Sequence, residues 1–386
     1  MKVTLASCLI TPLLLLSGAG CSSTPNGNVE ASTLSDLSGR FDLNTGADLA
    51  SLAAPSEIMV TRVGDGATPL AGNTGAAVFI ERRKIADGSA VGSAIAMPIA
   101  ANGNNRPFTL SGTGISEGAI TRSVDGRYVL LAGYDAAPGT AAILDNSQRV
   151  VGRVSADGSV DTSTSFDGLS GTGNSIRGAA STDGNALWVS GVLGIAYTTL
   201  GSAAVPIRLL GDPYNMRVIG IINDQLYASR SSVTAGGINT VGIGVPKTAN
   251  TTAKQLPGFP SNNNVLSPFG FVAFDRDNVA GLDTLYIADD RTVSGGGVQR
   301  WHLKNNTWAM DGVLSTGVSS GARGLTGFMS GANIVLVATT SEPGGASTRL
   351  VSFTDNGSTA AGIMATTLAT AAANTAFRGV CLAPTR

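Results

Sequence analysis

Three arginines in this chain share one position in a recurring pattern, since each directly precedes a glycine that opens an apolar segment. They are Arg177, Arg323 and Arg378, and Glu117 stands at the same position in another copy of the pattern. A guanidinium group presents its N–H donors as a planar fork that matches a carboxylate or a phosphate. If folding brings these positions together, the pattern predicts a binding site for an anion, with Glu117 offsetting part of the repulsion among the arginines.

A structural role is the alternative for the same arginines. Each could lie between two neighbouring sheets and donate hydrogen bonds to backbone carbonyl oxygens, which need partners when they are buried. Both interpretations require several strands whose first residues meet around one axis.

Six glycines mark the copies of the pattern: Gly118, Gly178, Gly220, Gly270, Gly324 and Gly379. Neighbouring copies lie 42 to 60 residues apart, a period typical of propeller blades. In most copies the glycine is followed by an apolar strand, a turn such as "VDG" or "TDG", and a second strand rich in Leu, Tyr, Trp and Val. Asp-Gly and Asn-Asp pairs tolerate the positive φ of tight hairpins. The repeat predicts an all-β protein, a six-bladed β-propeller.

Seven blades are the alternative if residues 133–175 contain an additional sheet. A pair of β-sandwiches or a β-helix would fit a period of this length less well. The residues directly before the six glycines are Glu117, Arg177, Ile219, Phe269, Arg323 and Arg378. In a propeller these residues would crowd the axis, where a mixture of arginines and apolar side chains is unsuited to a metal cation.

The segments near residue 56 and near the C-terminus each look like part of a blade. "FRGVCLAP" near the C-terminus has the form of a first strand with no further strands after it. The segments "EIMVTRVGDG", "AAVFIERRKIADG" and "SAVGSAIAMP" offer three strands with no first strand before them. We therefore predict that the C-terminal strand closes the first blade, within a propeller domain that spans residues 56–386.

Composition supports a large core and narrows the choice of partners. Hydrophobic residues make up 43% of the 386 residues and charged residues 13%, and the 51 glycines suit short strands joined by tight turns. The 25 basic and 26 acidic residues leave a net charge of −1, and no Lys/Arg run suggests a basic arm. This balance argues against a nucleic-acid partner. Trp188, Trp301 and Trp308 are expected to pack between blades.

Few residues are available for catalysis. A Ser-His-Asp or Cys-His triad would have to use His302, the one histidine, which lies on a third strand away from the predicted axis and is expected to be structural. A zinc site lacks clustered Cys and His ligands, and no cofactor is predicted. Enzyme activity is therefore disfavoured, although Glu117, Asp289 and Asp290 are candidates for general acid–base catalysis.

The segment "DRDNVAGLD" is a candidate calcium loop. Asp275, Asp277, Asn278 and Asp283 place hard oxygen ligands close together in the chain, as Ca²⁺ prefers. The spacing differs from that of an EF-hand, and no Glu ends the loop. A solvated turn is the alternative, since Asp and Asn are common turn residues.

The chain begins "MKVTLASCLITPLLLLSGAGCSSTPNGN". Lys2 precedes an apolar stretch, Leu9–Leu16, that is too short to span a membrane and gives way to small residues before Cys21. This arrangement predicts a secretory signal peptide over residues 1–20. Residues 21–55 are rich in Ser, Thr, Asn, Gly and Ala and are predicted to form a flexible tether.

The sequence "SGAGC" resembles a bacterial lipobox, although Gly18 stands where that pattern usually has Leu. The resemblance implies that Cys21 is diacylated and becomes the mature N-terminus, which makes the membrane a partner through this anchor. Ser22, rather than Asp, follows Cys21, and this implies the outer membrane. An ordinary signal peptide that leaves Cys21 as a free thiol is the alternative. Cys381 has apolar neighbours in the sequence and is expected to be a buried, inert thiol.

The stretches "EGAITRSVDGRYVLLAGYDA", "TLYIADDRTVSGGGVQRW" and "AFRGVCLAP" resemble uncharacterised secreted or lipid-anchored bacterial β-propeller proteins. "TLYIADD" is also similar to the second-strand signature of NHL-type six-bladed propellers. The resemblance covers nearly all of the chain after residue 55. It implies the propeller fold and a location in the cell envelope, and it implies no reaction.

Together these observations predict a cell-envelope lipoprotein whose propeller body is a binding or scaffolding module. The loops and channel of a propeller carry its function, and the arginines indicate an anionic small molecule, a polysaccharide or a protein as partner. One alternative is an extracytoplasmic hydrolase or lyase that acts on a carbohydrate or a lactone, and another is a structural repeat in a larger assembly. A metal or a deep acidic pocket on the axis would favour the enzyme, whereas a cationic mouth would favour binding.

Overall fold

The structure, a computed structural model, describes residues 54–385 with the exception of 168, 170–172, 211–214, 233–234, 261–264, 278, 293–294, 318–319 and 343–346. These residues belong to one compact unit, Ala53–Arg386. The predicted signal peptide, the anchor residue Cys21 and nearly all of the predicted tether lie outside the described residues.

Short strands account for almost all of the regular structure. In chain order they are β1 Glu57–Val63, β2 Gly75–Lys84, β3 Ile95–Ala96, β4 Thr109–Ser111, β5 Ile120–Arg122, β6 Tyr128–Tyr134, β7 Arg149–Ser155, β8 Val160–Phe166, β9 Ile176–Ser181, β10 Ala186–Gly191, β11 Gly194–Thr199, β12 Ile207–Arg208, β13 Met216–Ile222, β14 Gln225–Arg230, β15 Gly237–Val241, β16 Ala253–Gln255, β17 Pro268–Phe274, β18 Thr284–Asp289, β19 Gly297–Lys304, β20 Thr307–Leu314, β21 Ala322–Ser330, β22 Asn333–Thr340, β23 Arg349–Asp355, β24 Thr366–Thr370 and β25 Ala376–Leu382. One short helix, α1, spans Ile143–Asn146, and a 3-10 turn spans Ala360–Gly362. None of the helices in the described part of the chain is long and apolar enough to cross a membrane.

Tight turns made by the expected residue types join neighbouring strands. Asn223 and Asn305 begin the β13–β14 and β19–β20 turns, and each is followed by a second residue with positive φ, Asp224 or Asn306. Two consecutive residues with positive φ give the hairpin turn that matches the twist of antiparallel strands. The local sequence therefore determines where the chain reverses direction between these strands.

Four separate four-stranded sheets form from consecutive strands. Their strand orders are β12-β11-β10-β9, β13-β14-β15-β16, β17-β18-β19-β20 and β21-β22-β23-β24, with antiparallel pairing throughout. In each sheet the strand that comes first in the chain carries one of the predicted glycines. These are Gly178 in β9, Gly220 in β13, Gly270 in β17 and Gly324 in β21. The predicted all-β class and the propeller arrangement are thereby confirmed.

The remaining strands form one nine-stranded sheet, so strand pairing alone does not divide the body into the six or seven separate sheets that the sequence predicted. Its order is β25-β1-β2-β4-β6-β7-β8, with β3 paired to β2 and β5 paired to β6. The short strand β4 makes the connection, because it pairs with Gly75–Ala77 of β2 on one side and, through Thr109, with Tyr134 of β6 on the other. Residues 133–175 contribute β7, β8 and α1, and their described part forms no additional sheet.

The C-terminal strand pairs with the first strand of the body. β25 runs antiparallel to β1, with Cys381 opposite Met59 and Val380 opposite Val60. This is the pairing of the chain ends that the sequence predicted. It ties the last described strand to the first, so the body is closed by strand pairing.

Six strands form a closed cycle of contacts at the centre of the described structure. β5 contacts β9, β9 contacts β13, β13 contacts β17, β17 contacts β21, β21 contacts β25, and β25 contacts β5. We call these the inner strands. The apolar core lies between successive sheets, and the tryptophans belong to it as predicted: Trp188 packs with Ile219 and Leu226, while Trp301 and Trp308 pack with residues of two neighbouring sheets.

Candidate functional site: an arginine collar

A β-bulge lies at the start of the inner strands, at the position of the repeated pattern. In β21, Ala322 pairs with Thr340 and Leu325 pairs with Ala338, so that both Arg323 and Gly324 lie opposite Thr339. The same shift in register occurs in β9, β13, β17 and β25. A bulge bends the strand and changes the direction of a side chain that in a regular strand would point to one face of the sheet.

Hydroxyl groups of the second strands hold these bulges to the next sheet. Thr339 accepts a hydrogen bond from the amide of Gly324 at 2.9 Å and donates one to the carbonyl oxygen of Arg378 at 2.6 Å. Ser190 donates in the same way to the carbonyl oxygen of Arg217 at 2.6 Å. The backbone of each of these two arginines is therefore positioned by the preceding sheet.

The glycines allow neighbouring inner strands to approach closely. A Cβ atom added at Gly270 would lie 2.7 Å from the backbone nitrogen of Leu325, and one added at Gly379 would lie 2.7 Å from the backbone nitrogen of Ile120. Gly324 has a similar environment, 3.0 Å from the backbone nitrogen of Val380. No side chain fits at these distances without movement of the backbone.

Gly220 does not make such a close approach to a neighbouring strand. The glycine pattern therefore places the start of β13 at the wrong residue. A Cβ at Gly220 would lie 3.5 Å from the ring of Phe271, an ordinary contact. In β13 the bulge falls at Arg217 and Val218 instead, opposite Ser229. Ile219, which the sequence pattern placed at the start of this strand, lies two residues after Arg217; it is fully buried in the core and also lines a cavity between the inner strands.

Arg217 is therefore the fourth arginine of the set, and alignment on Gly220 missed it. The signal was present in the sequence, since "MRVI" matches "IRGA", "ARGL" and "FRGV" when the pattern is an arginine between apolar residues and the residue after it is allowed to be Gly or Val. We call Arg177, Arg217, Arg323 and Arg378 the arginine collar. Phe269 holds the same position in β17.

Two collar arginines bind the start of the next inner strand. Arg177 donates from Nη1 to the Asn215 side-chain oxygen at 2.6 Å and to the Met216 carbonyl oxygen at 3.3 Å. Arg217 donates from Nη1 to the Ser267 hydroxyl at 2.9 Å and to the Pro268 carbonyl oxygen at 3.2 Å. These bonds to carbonyl oxygens are those that the structural interpretation expected.

Asp290 and Phe269 both contact two members of the collar, Arg217 and Arg323. Arg323 donates from Nε and Nη2 to one Asp290 carboxylate oxygen at 3.3 and 3.2 Å, and Arg217 lies 3.9 Å from the other. The guanidinium groups of Arg217 and Arg323 also lie 4.1 and 5.6 Å from the centre of the Phe269 ring. Asp290 is thus the counterion of this side of the collar, and Phe269 is its aromatic wall.

Arg378 is the most deeply buried member of the collar. It is 5% exposed, and its Nη2 donates to the carbonyl oxygens of Ser111 and Gly112 at 3.2 and 2.8 Å. Its Nε and Nη1 are buried and have no hydrogen-bond partner among the described protein atoms. Burial lowers the pKa of Arg378 to about 10; Glu117 opposes this shift, while Arg323 adds to it.

Neighbouring collar arginines lower one another's pKa values, because like charges disfavour the protonated form. Burial lowers the pKa of Arg217 to about 10, Asp290 opposes the shift, and both Arg177 and Arg323 add to it. Burial also lowers the pKa of Arg177 and of Arg323. The structure therefore brings together the three predicted arginines and the one that the pattern missed.

Glu117 lies beside the collar, and both of its carboxylate oxygens are hydrogen-bonded. One oxygen accepts from the Ser111 amide at 3.0 Å and the Ser111 hydroxyl at 2.7 Å, and the other accepts from the Tyr134 hydroxyl at 2.7 Å. Burial and the nearby Glu117 raise the pKa of Tyr134 well above its usual value. Arg149 stacks over the Tyr134 ring at 4.8 Å. Sequence reasoning had not identified Tyr134 or Arg149, since no local pattern marks them.

Asp289, His302 and Cys381 are the remaining residues that the sequence singled out for possible chemistry. Asp289 is fully buried and accepts from the Ser267 amide at 2.8 Å, from Gln299 at 3.1 Å and from Arg291 at 2.8 Å. His302 places Nε2 3.4 Å from an Asp311 carboxylate oxygen on the next strand. Cys381 is buried, and burial raises the pKa of its thiol.

The acidic loop after β17 forms hydrogen bonds typical of a turn. The carboxylates of Asp275, Asp277 and Asp283 lie within 4.8 Å of one another. One Asp283 oxygen accepts the amides of Arg276 and Asp277, both at 2.8 Å, and the other accepts the Thr284 hydroxyl at 2.5 Å. Asn278 lies outside the described residues. The loop follows the end of β17, whereas the collar lies at the strand starts.

A cavity of about 230 Å³ continues along the inner strands beyond the collar. Residues of all six inner strands line it, and most of them are apolar. One from each strand is Ile120, Ala180, Val218, Val272, Leu325 and Val380. The collar and this axial cavity are therefore carried by the same strands.

Comparisons with known proteins give matches among solved structures. No protein-family model matches this chain, and no curated protein matches it. Among solved structures it is similar to TolB from Acinetobacter baumannii, with 12% identity and a TM-score of 0.48, over 86% of this chain and 69% of that chain. It is also similar to a protein of unknown function from Bacteroides caccae (10% identity, TM-score 0.42, 85% and 98% covered) and to the β-propeller domain of Cps50 (Swd1) from Myceliophteria thermophila (9% identity, TM-score 0.37, 67% and 86% covered).

Proposed function

We propose that this protein is a lipid-anchored component of the bacterial cell envelope whose propeller body binds an anion at the arginine collar. The observation that carries the binding proposal is Arg378, whose buried Nε and Nη1 have no partner among the described protein atoms. A buried N–H without a partner is costly. An anionic oxygen at the collar would satisfy such donors with charge-assisted hydrogen bonds.

The balance of charge at the site supports the same proposal. The four guanidinium groups of the collar have Asp290 and Glu117 as acidic partners. Asp289 and Glu342 also act on Arg217 and Arg323, but they are paired with Arg291 and Arg349, so positive charge is in excess at the collar. The carboxylates that were candidates for general acid–base catalysis already accept hydrogen bonds from neighbouring side chains or amides. Binding is therefore proposed here in preference to catalysis.

We further propose that the body is a ring of six blades. The nine-stranded sheet would comprise two of them, β25-β1-β2-β3 and β5-β6-β7-β8, with β4 as a connecting strand. The closed cycle of six inner strands supports this division. Each blade then contributes one strand start to the axis, which is why a single repeated position builds a collar.

Replacement of Arg323 by Gln should weaken anion binding by about 10- to 100-fold, because a hydrogen bond to a charged group contributes about 1.5–3 kcal/mol. Binding of inorganic phosphate and of a carboxylated polysaccharide would be measured by calorimetry at low and high salt, since screening weakens such contacts. Arg127→Gln is the matched control, because that side chain is 57% exposed and pairs only locally with Asp125. A lower melting temperature in Arg323→Gln, together with no anion binding by the unmodified protein, would favour the structural interpretation.

The lipid anchor is tested separately at Cys21, which lies outside the described residues. Acylation adds chains that hold a protein at a membrane, so Cys21→Ser should move the protein from the detergent phase to the aqueous phase. Cys8→Ser is the control, since Cys8 lies within the predicted signal peptide and should not affect partitioning. Unchanged partitioning of Cys21→Ser would reject the lipoprotein proposal.

A further inference from the structure

We infer that the anion bound at the collar is an amphiphile, with one carboxylate or phosphate head at the arginines and an alkyl tail in the axial cavity. This inference rests on the proposed function, since it assigns the ligand class of the same site. The additional observations are the apolar walls of the axial cavity and of a second cavity beside it.

The register of the inner strands places an apolar wall next to the collar. Val218 directly follows Arg217, and Val380 lies two residues beyond Arg378. At a rise of about 3.3 Å per residue, the apolar lining begins roughly 3–7 Å along the strands from the collar residues. Because the inner strands surround one axis, an anionic head at the collar and a tail in the cavity would lie in line.

The cavity wall has the composition of a site for an apolar group. Its members include Ile120, Ala180, Val272 and Leu325, one from each of four strands. Most of the other lining residues are also apolar, and the polar ones are Thr121, Arg122, Ser181 and Thr326. Binding sites for small molecules are typically apolar with a few polar groups that fix orientation. Here those polar groups would be the guanidinium groups at one end.

A second apolar cavity extends the space available to a tail. It has a volume of about 350 Å³ and lies between the sheet of β13–β16 and the sheet of β17–β20, with Tyr227 and Trp308 in its wall. Ile222, Phe271 and Ala273 line both cavities. A continuous apolar wall thus leads from the axis into the space between these two sheets.

The position of Val218 is consistent with an opening between the sheet of β13–β16 and the sheet of β17–β20. Gly270, Gly324 and Gly379 each pack against the backbone of the next inner strand, whereas β13 has Val218 at the equivalent position. Its side chain lines the axial cavity. The two sheets beside this departure from the repeat are the same two that enclose the second cavity.

The test is a chain-length series measured on the full chain carrying Cys21→Ser, so that no detergent competes for the site. Acetate, butyrate, hexanoate and octanoate would be titrated calorimetrically, with inorganic phosphate and octyl phosphate as a second series. Each buried methylene should raise affinity about fourfold, the equivalent of about 0.8 kcal/mol. The longer ligands should also give a more negative heat-capacity change, the signature of apolar burial.

Two variants separate the head from the tail. Arg323→Gln should weaken every member of both series, while Arg127→Gln should not. Ala273→Phe fills space in both cavities and should remove the gain from a longer chain. If Ala273→Phe does not fold, the heat-capacity change of the unmodified protein still tests burial of the tail.

Equal affinity for short and long chains, with binding still dependent on Arg323, would overturn the amphiphile inference and leave the proposed anion site intact. Binding that grows with chain length but does not respond to Arg323→Gln or to salt would overturn both. Absence of binding by every ligand in the two series would overturn the amphiphile inference, and it would overturn the proposed anion site as well if the carboxylated polysaccharide also failed to bind.

Discussion

Deletion of residues 376–386 should abolish cooperative folding of the propeller body. The deletion removes β25, which pairs with β1 and contacts both β21 and β5 in the cycle of inner strands. Phe377, Val380 and Cys381, each less than 5% exposed, would be lost from the core, and β1 would present an unpaired edge. Unpaired strand edges promote aggregation. We expect an insoluble product, or a soluble one that binds a hydrophobic dye and shows no sharp thermal transition.

The control for this deletion is removal of Thr385 and Arg386 alone. Within the described residues this shorter deletion loses the hydrogen bond from the Thr385 amide to the Gly126 carbonyl oxygen at 2.9 Å. It should melt within a few degrees of the unmodified protein. If the longer deletion also kept a sharp transition at a similar temperature, strand β25 would not be what closes the ring.

Substitution of Gly379 by Ala should destabilise the body by at least about 2 kcal/mol, within the range for overpacked sites. The added Cβ would lie 2.7 Å from the backbone nitrogen of Ile120 and close to the carbonyl oxygen of Gly118. Both are backbone atoms of the next inner strand, so relief requires the strands to separate at the axis. For a body of this length the expected fall in melting temperature is at least roughly 3 °C, measurable by calorimetry.

Gly220→Ala is the matched control for this effect. It belongs to the same sequence repeat, yet its Cβ would meet only the Phe271 ring at 3.5 Å. Because alanine restricts the unfolded chain more than glycine does, this substitution should be neutral or slightly stabilising. Equal destabilisation by both substitutions would mean that close approach of the inner strands is not what requires glycine at Gly379.

Sequence alone determined the elements and much of the collar. Strand periodicity and turn residues are local properties, so the all-β class, the hairpins and the pairing of the C-terminal strand with β1 follow from short stretches of chain. Arg177, Arg323 and Arg378 were found because a repeat places equivalent residues at equivalent positions in space. Arg217 was also within reach, since the arginine pattern includes it where the glycine pattern does not.

Tertiary structure alone decided how the collar residues are partnered. Arg378 binds the carbonyl oxygen of Ser111, a residue 267 positions away, and Arg323 shares Asp290 with Arg217. The joining of two groups of strands by β4, the burial of Arg378 and the cavities beyond the collar likewise depend on how sheets meet. Hydrogen bonds and desolvation depend on every atom within a few ångströms, and in a closed ring those atoms come from distant parts of the chain. A repeat in the sequence therefore specifies which residues reach the axis, whereas only the packed ring specifies which of their charges are already satisfied there.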